Sequence, residues 1–351
     1  MAYTTIDDPT AYFQTTLYAG DGSSDLAITN NGNSDLQPDL VWLKERSSTS
    51  DHGIYDSVRG AGAHLEPNKN TAVDANATEQ LSSFNTDGFN VGSSGLSNED
   101  GQTYVAWQWK TGTSFTNDAS GTSIGSIDSA GSVNTDAGFS IVTYSGTSAS
   151  SKTIFHGLTA VPKMMLIKCL SNAENWSVYH KSMTALNGMY LNLTSAQAAV
   201  DLFADTEPTS SVFSVNQDSR SGENGKTYVA YCFAEKQGYS KFGSYTGNGN
   251  ADGVYLHLGF SASFIMFKRT DSTGAWVMKD NKRDAYNVAT KYLYANASDA
   301  ESTSYNVDFT ANGVKLRGSD AQFNASGGTF IYMAFAENPF VTSTGVPATA
   351  R

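Results

Sequence analysis

Three lysines at matched spacing constrain this chain more than any other feature. "LVWLKERSS" holds Lys44, "MMLIKCLSN" holds Lys168 and "FIMFKRTDS" holds Lys268. Downstream, "TYVAWQW", "TYVAYCF" and "TFIYMAF" open at Thr103, Thr227 and Thr329, which lie 59, 59 and 61 residues after those lysines. Upstream, Tyr18, Tyr144 and Tyr245 precede them by 26, 24 and 23 residues. Trp176 and Trp276 both fall eight residues after their lysine, where the first segment has His52. Agreement at this level is the signature of an internal repeat, and a unit of about a hundred residues is a common domain size.

The spacing places the units at 12–110, 137–236 and 238–337, with an N-terminal arm at 1–11 and a C-terminal arm at 338–351. Residues 111–136, rich in Ser, Thr and Gly, read as a linker with little to bury. The join at "KQG" is so short that the second and third units are expected to pack as a rigid pair.

Within a unit, short runs alternate threonine with aromatic and branched residues, which favours strands over helices. Gly, Ser, Thr, Asn and Asp are abundant, and charged residues make up only 16% of the 351, too few for long solvated helices. "NTDG" at 85–88, "GNGNADG" at 247–253 and "TANG" at 310–313 read as turns, because Asn, Asp and Gly tolerate positive φ. The best short helix is "LTSAQAAVDLF" at 193–203.

In each closing strand Val105, Trp107 and Trp109, or Val229, Tyr231 and Phe233, or Ile331, Met333 and Phe335, share one face. The opposite faces are also largely apolar, so these are central strands covered on both sides. The fold class expected is all-β: three tandem β-sandwich repeats of jelly-roll or lectin-like type, each closing its own interior.

Charge excludes some functions. The net charge is −12 and no basic run exceeds a pair such as Lys282-Arg283, so the chain offers no electrostatic handle on phosphate and nucleic acid is not an expected partner. No apolar run is long enough for a membrane span, so no membrane insertion is expected. "MAYTTIDDPTAYFQ" shows neither the basic start nor the apolar core of a secretory leader.

Chemistry-bearing residues are sparse. His52, His64, His156, His180 and His257 form no metal-protease spacing, and neither Cys169 nor Cys232 sits in a nucleophile signature, so no catalytic residue is assigned and a non-enzymatic role is expected. Cys169 and Cys232 lie in strands that, if neighbours, could form a disulfide; reduced thiols are the expected state. Asp21, Ser23 and Asp25, and Asn248, Asn250 and Asp252, give alternating oxygen ligands of the kind calcium takes. The acidic residue that ends such a loop is missing, so ordinary turns are expected and no cofactor or metal is assigned. Trp176 and Trp276 are candidate glycan-stacking platforms, set against packing roles suggested by their shared position. The three lysines are expected to snorkel from strand edges to solvent.

The phrases "MAYTTIDDPTAYFQTTLYAGDG", "PDLVWLKERS", "YDSVRG", "NWSVYHKS", "YVAYCFAEKQGYSKFGSYTGNG" and "IYMAFAENPFVTSTGVPATAR" resemble repeat-containing virion structural proteins of marine tailed bacteriophages, of the tail and tail-fibre type. The resemblance implies a location in the virion after assembly in the host cytoplasm and release by lysis. It further implies a homo-oligomer, a trimer being one form, contacts with other virion proteins of the tail or shell, and a role in host attachment, with a host surface glycan as candidate ligand. The arms would then be extended and would dock on neighbouring subunits. Two other roles stay open: a capsid decoration or cement protein, and a carbohydrate-binding module.

Overall fold

A computed structural model describes residues 2–349 of the chain. Its strands pair antiparallel throughout, and the helices are single short turns at Pro9–Ala11, Gly95–Asn98 and Ala119–Thr122. The protein is all-β. The stretch at 193–203 forms no helix: Gln197 N–H donates to the Thr270 carbonyl and the Thr194 and Ser195 carbonyls accept from Lys268, so long-range bonds override a weak local preference.

Three large sheets are built on one plan around the closing strands. The first runs Phe13–Ala19, Thr103–Trp109, Leu40–Glu45, Gly53–Asp56 and Gly60–Leu65. In the second, Thr227–Phe233 lies between Phe139–Ser145 and Met164–Cys169, and in the third, Thr329–Pro339 lies between Ser240–Thr246 and Phe260–Arg269. Each closing strand thus sits between an opening strand and a lysine strand. Registers agree as well: Tyr18 faces Tyr104, Tyr144 faces Tyr228 and Tyr245 faces Phe330, each pair stacked at 5.0, 5.2 and 4.9 Å. Two of the sequence-read turns close hairpins, Leu81–Asn85 to Gly88–Val91 and Ser302–Thr310 to Gly313–Leu316.

In the first and second closing strands the two faces have different neighbours, whereas both faces of the third lie in the shared core. Ala106 packs with Val41, Leu43, Tyr55 and Phe89 in a cluster belonging to the first sheet and its small partner sheet. Tyr228 and Ala230 pack with Ile167, Phe213 and Val215 in a cluster belonging to the second. The other faces meet in a single core. Trp109, Phe233 and Phe335 hold equivalent places in their strands, and their ring centroids stand 6.4, 5.6 and 5.9 Å apart in edge contacts. Phe13 stacks on Phe335 at 5.2 Å, and Phe264, Trp107, Trp42, Trp176 and Trp276 continue the same cluster.

Two expectations are corrected here. The interiors are not self-contained, since one face of every closing strand is buried against the other two sheets. Residues 111–136 are not a free linker: Thr113–Asn117 and Ser129–Asn134 extend the second sheet beside Phe139–Ser145. An edge strand needs only one covered face, and here Phe115 supplies it against Phe155 at 5.4 Å. Gly131 permits the close pairing, because a Cβ there would lie 2.0 Å from the Ile141 carbonyl oxygen.

The described parts of the terminal arms also pack on their own chain. Tyr3 Oη donates to the Gly259 carbonyl at 2.7 Å, Thr4 Oγ1 to the Gln237 carbonyl at 2.9 Å, and Ile6 is buried in the shared core. Ser343 N donates to Asp7 Oδ1 at 2.6 Å, tying the two arms together. Residues 1, 350 and 351 of those arms lie outside the described residues.

Candidate functional site

The matched lysines lead to the seams where the sheets meet. All three are fully buried, which corrects the expectation that they reach solvent. Lys44 Nζ donates to the Glu45 carbonyl at 2.5 Å. Lys168 Nζ donates to Cys169 at 2.7 Å and to Asn70 and Asn172, both at 3.4 Å. Lys268 Nζ donates to Arg269 at 2.6 Å, Ser195 at 3.0 Å and Thr194 at 3.3 Å. Removing an ammonium from water is costly, and the cage of carbonyl oxygens offsets part of that cost. Burial still pushes Lys44 and Lys168 down to about 8 and Lys268 down to about 7.

Eight residues beyond each lysine an aromatic ring crosses a seam. Trp176 Nε1 donates to the Glu66 carbonyl at 3.0 Å, from the second sheet to the first. Trp276 Nε1 donates to the Tyr190 carbonyl at 3.0 Å, from the third to the second. His52 completes the set: Trp42 Nε1 donates to its Nδ1 at 2.9 Å, so Nε2 carries the proton and faces the Tyr294 and Ala297 carbonyls at 3.0 and 3.1 Å, from the first sheet to the third. Burial lowers the His52 pKa to about 3, keeping the ring neutral.

Backbone bonds repeat the circuit. The carbonyl two residues after each lysine accepts an N–H from the next sheet round: Leu170 from Val73 at 3.2 Å, Thr270 from Gln197 at 2.9 Å and Arg46 from Glu301 at 2.8 Å. The first sheet touches the third as it touches the second, so the three close into a ring.

Buried polar groups reinforce that closure nearer the core. Asp56 pairs with Arg59 at 2.5 Å and accepts from Tyr231 Oη of the second sheet at 2.7 Å. Asp280 pairs with Arg283 at 2.6 Å and accepts from Trp107 Nε1 of the first sheet at 3.1 Å. At the equivalent place His180 Nε2 lies 3.3 Å from the Tyr332 carbonyl of the third sheet.

The sequence-read candidates fare as follows. Trp176 and Trp276, 0% and 1% exposed, cannot present a face to a sugar; they are seam residues. Cys169 and Cys232 are free and buried. Their strands are neighbours, but Cys169 faces Tyr228 and Cys232 faces Met165, an offset of four residues, roughly 13 Å at strand rise and beyond disulfide reach. Burial pushes the Cys232 thiol up to about 12.

In the two oxygen-rich turns, Asp21 Oδ1 accepts from Ser23 N at 2.9 Å and Asp25 Oδ1 from Asn90 Nδ2 at 2.6 Å. Asn250 Oδ1 accepts from Asp252 N at 2.9 Å, and Asp252 pairs with Lys315 at 2.8 Å. Those side chains hold turns together. Among the described residues no three His, Cys, Asp or Glu side chains gather as a metal site would require.

What sequence reasoning missed is the set of seam partners. Asn70, Val73, Thr194, Gln197, Glu301 and Ser298, whose carbonyl accepts from Ser50 N–H at 3.0 Å, lie in loops whose composition is that of ordinary turns. Nothing in them advertises a partner more than seventy residues away. A cleft of about 880 Å³ was missed as well; Thr116, Asp118, Asp128, Thr143, Ser145 and Thr147 line it, and the extra strands of 111–136 form one wall. Its carboxylates are occupied, Asp118 capping the short helix at Ser120 and Gly121 and Asp128 accepting from Ala119 N.

Fold and seams together define an all-β protein of antiparallel sheets closed round one aromatic core. The chain belongs to the family described as a domain of unknown function, DUF7483, whose model matches residues 8–339. No curated protein and no solved structure matches the chain.

Proposed function

We propose that the chain is a non-enzymatic structural protein of a bacteriophage virion, an exposed tail appendage of tail-fibre or tail-tip type acting in host adsorption. In this reading it consists of three copies of a β-sandwich unit of about a hundred residues, set round an approximate threefold axis through Trp109, Phe233 and Phe335. It works alongside copies of itself and other virion proteins.

One observation carries the reading: the same two contacts, from the residue two beyond the lysine and from the ring eight beyond it, join each segment to the next and the third back to the first, and Lys168 and Lys268 add a bond across their own seams while Lys44 bonds within its segment. Aromatic rings and buried charges that could have served chemistry are committed to rigidity. A body so closed resists shear and presents loops at its ends, where recognition is carried. The resemblance of "NWSVYHKS" and the other quoted phrases to tail-type virion proteins supplies the context.

Imaging intact particles with an antibody raised against the chain tests this. Label at the tail is expected; label spread over the icosahedral shell would transfer the chain to the decoration role and end the tail assignment.

A further inference from the structure

The geometry points to a saccharide site on the third sheet, a cleft formed by Tyr292, Tyr294, Asp299, Glu301 and Ser302, backed by Tyr305, that takes a neutral pyranoside. The inference deepens the adsorption reading and rests on it for its biological meaning.

The site begins with an irregularity in strand pairing. Ala289 faces Val307 while Lys291 faces Thr303, so two steps on one strand match four on the other, and the surplus residues bulge. Tyr305, inside that bulge, has φ 51°, a left-handed conformation that a bulky L residue adopts only under strain. The strained backbone brings the Tyr305 ring to 4.5 Å from Tyr292 and 6.2 Å from Tyr294, with Tyr292 and Tyr294 4.9 Å apart. The Tyr294 and Tyr305 hydroxyls bond at 2.5 Å. Three half-buried rings are thereby locked together beside a cleft of about 490 Å³, within the roughly 300–1,000 Å³ of small-ligand sites.

Charge selects the ligand class. Glu301 is held by Arg46 at 2.9 Å and Arg283 at 3.3 Å, with Lys291 at 3.9 Å, so its charge is compensated and the cleft is no trap for cations. Asp299 is exposed, with no hydrogen bond to its carboxylate among the described residues, and Ser302 is exposed beside it. Flat aromatic surface with a carboxylate and a hydroxyl at its rim suits a pyranose ring, whose C–H face stacks on tyrosine while its hydroxyls donate to the carboxylate. The same carboxylate repels sialylated and phosphorylated sugars.

Position agrees with use in adsorption. Glu301 N bonds to Arg46, whose own N–H bonds to the Thr103 carbonyl at the start of a closing strand. The terminal arms pack at Gln237 and Gly259, beside the far ends of the closing strands. The cleft and the termini are therefore separated by at least the length of the shorter closing strands, six residue steps or roughly 20 Å. A body held by its terminal end presents this cleft outward.

The test is a glycan array probed with the full chain, followed by titration calorimetry of the strongest hit against Tyr292→Ala and Asp299→Asn, with melting temperatures measured alongside. The expected result is a neutral glycan bound by the parent protein and at least tenfold weaker by each variant at unchanged melting temperature. If Tyr292→Ala lowers the melting temperature, the exposed Asp299→Asn decides. Silence of the array, binding confined to acidic glycans, or affinity untouched by Asp299→Asn overturns the site. These outcomes are separable from particle imaging: a silent array with label on the tail removes the cleft alone, and glycan binding with label on the shell removes the appendage reading alone.

Discussion

Trp276 shows how much one side chain carries at a seam. Its indole is buried, it donates to the Tyr190 carbonyl of the neighbouring sheet, and Lys268 Nζ sits 6.0 Å from its ring. Trp276→Ala should cost about 3–5 kcal/mol from lost packing and cavity, while Trp276→Phe should cost less, retaining most of the apolar volume and removing one of the two donors to the Tyr190 carbonyl, with Leu193 N–H remaining at 3.2 Å. Denaturant titration of both variants measures the difference. The histidines give a pH signature. Burial holds His52 at about 3 and His156 and His180 at about 4, against about 6.5 in an unfolded chain. Below pH 6.5 the unfolded chain takes up protons that the folded one refuses, so each histidine removes about 1.4 kcal/mol of stability per pH unit until its folded pKa is reached. Unfolding midpoints should therefore fall between pH 6.5 and 4, and His52→Gln should flatten that fall. Much of this level was legible in the sequence: the spacing that set Trp176, Trp276 and His52 in one place already favoured packing over sugar stacking. The partners were not legible, because periodicity reports that a residue is buried and is silent on what buries it. The lysines misled for a related reason. An apolar run ending in lysine describes a snorkelling side chain and a carbonyl-caged one equally well.

At the level of elements, the closing strands carry the most information, because both of their faces are buried and, in the first two, each face answers to a different cluster. Alternation in "TYVAWQW" revealed two apolar faces; it could not reveal that Trp107 and Trp109 face other sheets. The 111–136 segment was misread because strand formation at an edge asks for one covered face, and a Ser/Thr/Gly composition hides so light a requirement. The tyrosine cleft was illegible for another reason: Tyr292 and Tyr294 read as ordinary strand alternation, and the bulge that turns Tyr305 toward them leaves no mark on periodicity. The turn after Val277–Asp280 makes a measurable claim. Asp280 and Arg283 side chains are wholly buried, and Asp280 also accepts from Trp107 of the first sheet. Arg283→Met leaves a buried carboxylate without its cation and should cost about 3–5 kcal/mol. Exchanging both members, Asp280→Leu with Arg283→Met, should recover part of that loss. A double-mutant cycle by thermal unfolding checks both values.

For the whole molecule, the question is whether three segments drawn from one pattern behave as three bodies or one. A bead model lets each segment melt separately, since a linker transmits no free energy. The shared core argues otherwise. Removing residues 12–110 and 238–337 from around the middle segment would expose Phe139, Ile141, Leu166, Trp176, Tyr231 and Phe233, all buried in the intact protein. At about 1.5–3 kcal/mol for each large apolar side chain returned to water, the loss is on the order of 10 kcal/mol, comparable to the whole stability of a domain of that size. The full chain should therefore unfold in one calorimetric transition whose van't Hoff and calorimetric enthalpies agree, and the isolated fragment 137–236 should show no cooperative transition. Ring closure adds a sharper consequence. Arg46 and Glu301, bidentate and 255 residues apart in sequence, close the seam between the first and third sheets, and no covalent connection spans that gap. Arg46→Ala should open this seam first, seen as faster amide exchange at Ser50 and Glu301 while Val73 and Gln197, at the two other seams, keep their protection. Equal loss of protection at all three seams would mean that the ring opens only by unfolding, with no seam weaker than the rest.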